Sequence, residues 1–305
     1  MTILNMDGPT TIFCGWAFMN LRRYEFLLYV GPGLAYFLSL GIFPLLFSIY
    51  ISFHLYQLNR PELGNPFVGV ANYINAIRDP LFHDALFRSF LLTTESVILQ
   101  MLLGLGLALL LATEFRGCGL TRSLLLMPMT LTPVVVGLLW RYQFQPGAGI
   151  LEWIASMITG KSFYVLGEPQ LALHAIVLTE VWHWTPFVML ILLSGLLAMP
   201  VEPFEAAKID GASAIQTFRY ITFPLLKRSF LVALLFRTTD SLLIFDKILL
   251  LTEGGPGTAT QTLTYYNFLT AFSYWRVGYA AAISILTVII LNILSNLFIR
   301  LIWRK

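Results

Sequence analysis

Six long apolar segments recur along the chain, separated by shorter stretches that hold most of the polar residues. Each segment reaches the ~20 apolar residues that a helix needs to cross a bilayer core. Runs such as Leu102–Leu111 do not alternate between apolar and polar residues, so helices are predicted instead of barrel strands. The predicted spans are Phe26–His54, Phe90–Thr113, Ser123–Gln143, Leu171–Met199, Phe230–Thr252 and Tyr279–Trp303.

Basic residues between the spans predict the orientation of the chain. One set of connecting segments, which includes Arg22 and Arg23, carries 11 Lys and Arg residues, whereas the opposite set carries 6. Because basic residues collect in cytoplasmic loops, both termini are predicted to be cytoplasmic. Residues 1–25 would then form a cytoplasmic N-terminal segment, and residues 26–305 a domain of six transmembrane helices.

The composition narrows the class of protein. Hydrophobic residues make up 57% of the chain and charged residues 11%, with a mean hydropathy of +0.77, whereas soluble domains run near ~45–50% and ~25%. This excess excludes a soluble enzyme and a disordered protein, and a net charge of +3 gives no footprint for nucleic acid. Cys14 and Cys118 form no CxxC motif, so neither a zinc site nor another metal site is predicted.

The segment Pro200–Arg228 is the most structured of the predicted cytoplasmic loops. Pro203 suits the first turn of a helix, and Glu205 complements the positive end of the helix dipole. Gly211 permits a sharp turn before a second short helix, Ser213–Tyr220. The residues alone predict a helix–turn–helix at the membrane surface, for which a plain pair of amphipathic interfacial helices is an equal alternative.

The amino-acid sequence of this loop resembles that of a known family. The pattern Glu-Ala-Ala-x-x-Asp-Gly-Ala from Glu205, followed by Phe218, Ile221 and Pro224, resembles the EAA loop of bacterial ABC importer permeases, although Phe223 stands where Leu is usual. In that family the loop docks into a groove of the ATPase subunit. The resemblance therefore implies coupling roles for Glu205, Ala206, Ala207, Asp210, Gly211, Ala212 and Phe218.

Two further motifs are similar to carbohydrate-type, maltose-type permeases, in particular to the larger permease of such pairs. They are Phe67-x-Gly69-x-x-Asn72-Tyr73 and Leu251-Thr252-x-Gly254-Gly255-Pro256. The family implies an all-α type I ABC importer permease fold in the bacterial inner membrane, and no enzymatic activity. It also implies a second homologous permease subunit, two ABC ATPase subunits that hold ATP and magnesium, a periplasmic or lipid-anchored solute-binding protein and a carbohydrate substrate.

Charged residues inside the predicted spans point to a solute path, because such residues are costly in lipid and usually face a cavity or a partner. On the fifth span Arg237, Asp240, Ser241 and Ile244 share one helical face, and on the fourth His183, Trp184 and Phe187 lie on the same face as Glu180. Polar groups beside aromatic planes suit a sugar; the alternative is that the ionic residues only neutralise each other. The resemblance implies substrate contacts for His183, Trp184, Phe187, Arg237, Asp240, Ser241 and Ile244.

Some sequence features are compatible with functions other than that of an ABC permease. An ion-coupled secondary transporter would use Glu95, Glu180 and Asp240 as a proton relay, but the chain has no internal repeat. The stretch Ala155–Ser162 nearly spells a phosphate-binding loop, yet Ala155 replaces its first glycine and no strand precedes it, so a surface turn is predicted. A membrane-embedded enzyme lacks any nucleophile–base pair, so no catalytic residue is predicted. The substrate stays open among a disaccharide, a polyol, a sugar phosphate and a sulfo-sugar.

Overall fold

A computed structural model describes residues 28–113, 115–160 and 164–303. The proposed N-terminal segment 1–25, with Arg22, Arg23 and Cys14, lies outside these residues. The described part consists of helices and loops, with an isolated bridge between His54 and Phe67. In chain order the helices are α1 (Leu28–Ser52), α2 (Ala71–Arg78), α3 (Pro80–Leu111), α4 (Cys118–Thr130), α5 (Pro133–Gln143), α6 (Ile150–Thr159), α7 (Pro169–Leu197), α8 (Glu202–Ile209), α9 (Ala214–Thr217), α10 (Phe223–Leu242), α11 (Asp246–Leu251), α12 (Leu263–Phe268) and α13 (Val277–Trp303).

Four of the predicted spans are confirmed as single helices. Within the described residues α1, α3, α7 and α13 are each long and apolar enough to cross a membrane. Helix α3 begins at Pro80, well before the predicted start at Phe90, because Asp79 caps it by accepting a hydrogen bond from the Leu81 amide at 3.0 Å. An N-cap carboxylate followed by proline is a favoured helix start.

The third predicted span, Ser123–Gln143, is not one straight helix. Helices α4 and α5 meet at an angle of 94°, and counting this bent pair raises the number of candidate spans from four to five. Pro133 lacks an amide hydrogen and disfavours the helical conformation of the residue before it, so Thr132 is extended, with a ψ of 146°. The sequence Thr132-Pro133 therefore accounts for the bend.

The fifth predicted span, Phe230–Thr252, is also interrupted. Helix α10 ends at Leu242, and α11 restarts only at Asp246. Neither proline nor glycine lies at this break; instead the carbonyl of Ile244, left without a helical partner, accepts a hydrogen bond from the Thr264 hydroxyl at 2.6 Å. Tertiary contacts hold the break open, and the count of six crossings stays a prediction.

Helices α3, α7 and α10 form the centre of the molecule. Gly104 of α3 lies so close to Val188 of α7 that a Cβ at this position would come within 2.7 Å of it. Gly195 of α7 meets Ser229 of α10 in the same way, at 2.5 Å. Small residues let membrane helices approach closely, and an apolar core that includes Met101 and Leu192 fills the remaining space.

Helices α1 and α13 lie at the periphery and join at one end. The Leu58 amide donates to the Trp275 carbonyl at 3.1 Å, and the Gly278 amide donates to the Tyr56 carbonyl at 3.0 Å. A Cβ on Gly278 would lie 2.2 Å from the His54 carbonyl oxygen, so only glycine fits. In the most apolar stretch of α1, 6% of the residues are buried, compared with 67% in that of α7. Most of α1 is therefore left to contact lipid or another subunit.

Asp79, which lies between α2 and α3, joins this part of the chain to α12 and α13. Its carboxylate accepts hydrogen bonds from the hydroxyls of Tyr266 at 2.5 Å and Tyr279 at 2.7 Å. Burial alone would raise the pKa of Asp79, but these hydroxyls and the Leu81 amide outweigh it and hold the pKa below its usual value. Burial of the Tyr266 side chain and its hydrogen bond to Asp79 raise the pKa of Tyr266 to about 12.

Candidate functional site

Helix α7 presents one face toward α10, and this face carries the residues singled out by sequence. Glu180 and His183 are buried, whereas Trp184 and Phe187 are half-buried. Their spacing of three and four residues places them in a row along a single helix. The buried members face the protein interior, and the aromatic members reach the cleft between α7 and α10.

An ionic cluster of Gln100, Glu180, Arg237, Asp240 and Lys247 occupies the centre of the structure. The Glu180 carboxylate accepts a hydrogen bond from Arg237 at 2.5 Å and another from Lys247. Arg237 also donates to Asp240 at 2.5 Å and to Gln100 at 2.9 Å. Glu180, Arg237 and Lys247 are each 2% exposed, so their charges are compensated inside the protein, as burial requires.

Gln100 completes this cluster from α3. Its side-chain amide donates to the Glu180 backbone carbonyl at 3.0 Å, while its oxygen accepts from Arg237. Every nitrogen of the Arg237 guanidinium therefore has a partner. Gln100 was not predicted from the sequence, where its signal was a polar side chain in a predominantly apolar span.

A cleft of about 400 Å³ lies beside the ionic cluster. Its lining is mainly aromatic and aliphatic, with Trp184 and Phe187 from α7 and Phe236 and Asp240 from α10. The guanidinium carbon of Arg237 lies 4.9 Å from the centre of the Trp184 ring, a cation–π contact that fixes both side chains. Asp240 keeps 58% of its side chain exposed, so it offers a carboxylate to the cleft.

A smaller cavity of about 100 Å³ shares Trp184 and Asp240 with the cleft. Pro133, Ile244 and Asp246 also line it. These three residues come from the two places where the predicted spans are interrupted. The helix breaks and the cleft therefore belong to one region.

The structure separates the seven predicted substrate contacts into two groups. Trp184, Phe187, Arg237, Asp240 and Ile244 line the cleft or the small cavity. His183 is buried and donates from Nε2 to the carbonyl of Leu131 at 3.1 Å, at the bend between α4 and α5. Ser241 is also buried. Neither His183 nor Ser241 lines these two cavities. Lys247 and Phe236 do line them, although they were not predicted from the sequence as site residues.

The EAA-like loop, Pro200–Arg228, forms the predicted helix–turn–helix. Helix α8 ends in a Schellman motif, in which the Ala212 amide donates to Ala207 at 2.9 Å and the Gly211 amide to Lys208 at 3.2 Å. Gly211 adopts a φ of +73°, which favours glycine, and nothing lies within 4 Å of where its Cβ would be. The glycine is required for the backbone conformation and not for space.

Helix α9 begins with a capping box. The Ser213 hydroxyl accepts from the Gln216 amide at 3.4 Å, and the Gln216 side chain accepts from the Ser213 amide at 2.8 Å. A π-helical turn, Phe218–Thr222, then leads into α10. The end of α8 and the start of α9 are therefore held by hydrogen bonds within the loop itself.

The predicted coupling residues differ in exposure. Glu205, Ala206, Asp210 and Gly211 are exposed, Ala207 is buried, and Ala212 and Phe218 are half-buried. Apolar side chains also project from the loop, because Ile209 is 86% exposed and Ile215 is 79% exposed. A surface with this exposure suits an interface.

Comparisons with known proteins place this chain in a family. Residues 96–305 match the family model described as "Binding-protein-dependent transport system inner membrane component". The chain belongs to this family. As a family member it is a membrane transport component and not an enzyme, which confirms the prediction from the EAA-like loop.

Curated relatives of this transport component span most of its length. It is 38% identical to the trehalose/maltose transport system permease protein MalF of Thermococcus litoralis, over 86% of this chain and 88% of that protein. It is 33% identical to the trehalose transport system permease protein SugA of Mycobacterium tuberculosis, over 99% of this chain and 96% of that one. It is also 33% identical to the sulfoquinovosyl glycerol transport system permease protein SmoG of Agrobacterium fabrum, over 87% and 85%.

A solved structure confirms the fold of this transport component. A chain of a bacterial ABC transporter for import of the acidic polysaccharide alginate superposes with a TM-score of 0.79, covering 94% of this chain and 98% of that chain at 19% identity. The expected ABC permease fold is therefore present, with helices in place of strands throughout the described residues.

The family membership removes support from the alternatives weighed on sequence. In place of a proton path, Glu95 pairs with His174 at 2.9 Å, and Glu180 and Asp240 are bound to Arg237. The near match to a phosphate-binding loop begins in helix α6, and Lys161 and Ser162 lie outside the described residues. A phosphate-binding loop follows a strand, and here a helix stands in its place.

Proposed function

We propose that this chain is the transmembrane permease subunit of an ATP-driven, binding-protein-dependent ABC importer for a carbohydrate or carbohydrate derivative. It forms half of the translocation pathway, and a second homologous permease subunit forms the other half. A periplasmic or lipid-anchored solute-binding protein delivers the substrate from outside. The names of relatives that transport trehalose, maltose and sulfoquinovosyl glycerol support the carbohydrate class.

The proposed location is the bacterial inner membrane, with six crossings and both termini in the cytoplasm. Residues 26–305 form the transmembrane domain, and residues 1–25 form the cytoplasmic segment before it. The bent pair α4–α5 and the interrupted pair α10–α11 supply the third and fifth crossings. The excess of basic residues, 11 against 6, supports this orientation.

The cleft between α7 and α10 is the observation that carries the substrate assignment. Trp184 and Phe187 line it with aromatic rings, and Asp240 lines it with an exposed carboxylate. Aromatic planes suit the C–H faces of a sugar ring, and carboxylate oxygens accept hydrogen bonds from its hydroxyls. Such a cleft with a few convergent polar groups is the usual design of a small-molecule site.

The EAA-like loop couples this site to ATP hydrolysis. Its exposed residues Glu205, Asp210 and Ile209 dock on an ABC ATPase subunit, while the Schellman motif at Gly211 keeps the loop in a fixed shape. Two ATPase subunits hold the ATP and magnesium, and this chain binds no cofactor. Closure of the ATPases moves the loop, and the spans rock between inward-facing and outward-facing states. ATP and the binding protein drive the cycle because each interacts differently with the two states.

Transport by cleft variants tests the proposal. The complete transporter, reconstituted in liposomes with its ATPases and binding protein, is given the sugar that stabilises the binding protein in a thermal-shift panel. We expect Trp184→Ala with Phe187→Ala to reduce ATP-dependent uptake at least tenfold while the complex still assembles. The matched control is Trp153→Ala, an exposed aromatic residue outside the cleft.

Normal uptake by the double variant would contradict the assignment of this cleft to the substrate. Uptake driven by a proton gradient without ATP would contradict the importer and favour the ion-coupled alternative. Co-purification of an ATPase that is lost when Glu205→Lys is introduced supports the coupling role of the loop.

A further inference from the structure

The charges around the cleft differ in their access to water. Both cations of the ionic cluster, Arg237 and Lys247, are 2% exposed and donate to Glu180. Arg237 is further covered by the Trp184 ring and held by Gln100 and Asp240. No guanidinium nitrogen of Arg237 is left without a protein partner.

The acidic residues of the same region remain accessible. Asp240 keeps 58% of its side chain exposed, although one of its oxygens accepts from Arg237. Asp246 is exposed and lines the small cavity together with Asp240. The cluster is close to neutral as a whole, but the charges that a solute meets first are carboxylates.

We propose that this half of the pathway selects against anionic solutes, so that its cargo is a neutral or cationic sugar or polyol. This inference rests on the proposed function and narrows its substrate class. Two accessible carboxylates beside a low-dielectric aromatic wall make the local potential negative, which raises the concentration of cations and lowers that of anions. Neutral hydroxyls are unaffected by this potential and still find carboxylate acceptors. Sugar phosphates and sulfo-sugars are thereby excluded from the classes that the sequence left open.

This role makes Arg237 a positioning residue. Its guanidinium holds the Asp240 carboxylate and the Trp184 ring in place. A phosphate or sulfonate would have to displace Asp240, Glu180 or Gln100 before it reached Arg237. The sequence alone could not separate this arrangement from an arginine that binds an anionic sugar.

Thiol modification measures the potential of the cleft without knowledge of the cargo. In a Cys14→Ser, Cys118→Ser background, Leu243→Cys places a thiol at a residue that lines both cavities, and Leu58→Cys places one in a distant loop. The two leucines are matched in exposure, at 45% and 47%. Membranes that contain the assembled transporter are treated with a cationic trimethylammonium-ethyl methanethiosulfonate or with its anionic sulfonato-ethyl analogue.

We expect the ratio of cationic to anionic reaction rates to be at least tenfold higher at Leu243→Cys than at Leu58→Cys. Adding Asp246→Asn should lower the ratio at Leu243→Cys about threefold, and adding Asp240→Asn should lower it further, whereas Glu62→Gln in the distant loop should leave the ratio at Leu243→Cys unchanged. Equal ratios at the two cysteines, a preference for the anionic reagent, or a Leu243→Cys that reacts with neither reagent would overturn the proposal. These readouts involve no sugar, so they fail independently of the uptake test with Trp184→Ala and Phe187→Ala.

Discussion

The ionic cluster and the EAA-like loop use charged residues in opposite ways. In the cluster, Glu180, Arg237 and Lys247 are buried and bound to one another. In the loop, Glu205 and Asp210 are exposed, and a Schellman motif and a capping box hold the turn between α8 and α9 without using these charges. Charge therefore holds the helices together in one region, and in the other it is left available to a partner. Substitutions of similar chemistry should separate stability from coupling.

The largest expected effect is on assembly, from Glu180→Gln. This change removes the negative charge between Arg237 and Lys247 and leaves two buried cations, of which Arg237 keeps its ion pair with Asp240. Breaking a buried ion pair costs about 3–5 kcal/mol. We expect the solubilised complex to lose its monodisperse peak at a much lower temperature than the wild type, measured by fluorescence-detected size exclusion after heating.

The matched change in the EAA-like loop is Glu205→Gln, which removes the same negative charge from an exposed position. Its melting profile should overlay that of the wild type. If Glu180→Gln melted as late as Glu205→Gln, water would have to neutralise the two cations, and the contrast between the two regions would fail.

A smaller effect, on coupling, is expected from Gly211→Ala. The φ of +73° costs a residue with a side chain about 1–2 kcal/mol, so the turn between α8 and α9 should change shape. We expect fewer sugar molecules to be imported for each ATP hydrolysed, with no change in the melting of the complex. Gly211→Asn should retain more coupling because asparagine tolerates this conformation. Wild-type coupling in both variants would show that the turn has no part in transmission.

The smallest effect is expected from Ser213→Ala, which removes half of the capping box. Loss of an N-cap costs about 1 kcal/mol, and α9 is only one turn long. Amide hydrogen exchange in the peptide that covers residues 212–222 should become faster. Ser156→Ala, which changes a half-buried serine of α6, serves as the control and should leave that peptide unchanged. Unaltered exchange in Ser213→Ala would mean that contacts other than the cap hold α9.

The sequence predicted much of the fold because apolar length is a strong signal for helices such as α3 and α7. The bend at Pro133 had a visible cause, but the segment was treated as one span because its hydropathy continues across the bend. The break at Leu243–Phe245 had no such cause. It depends on Thr264, whose hydroxyl donates a hydrogen bond to the Ile244 carbonyl from a part of the chain beyond α11.

The candidate site was predictable by location and not by role. Spacing alone placed Arg237 and Asp240 on one face, and they do pair at 2.5 Å. Spacing could not find Gln100, because it lies 137 residues away from Arg237 in sequence. It also gave no sign that His183 donates to the Leu131 carbonyl, since that contact exists only once α4 and α5 have bent. Partners that are distant in sequence decide which charges face the cleft.

The junction between α1 and α13 is made chiefly by the main chain. The bonds from Leu58 to Trp275 and from Gly278 to Tyr56 use atoms that every residue except proline possesses. Such a junction can persist while its side chains diverge, so a comparison of side chains would overlook it. Gly278 is the exception, since any side chain there would meet the His54 carbonyl. Gly278 is thus the sequence feature that marks where the two ends of the membrane domain are joined.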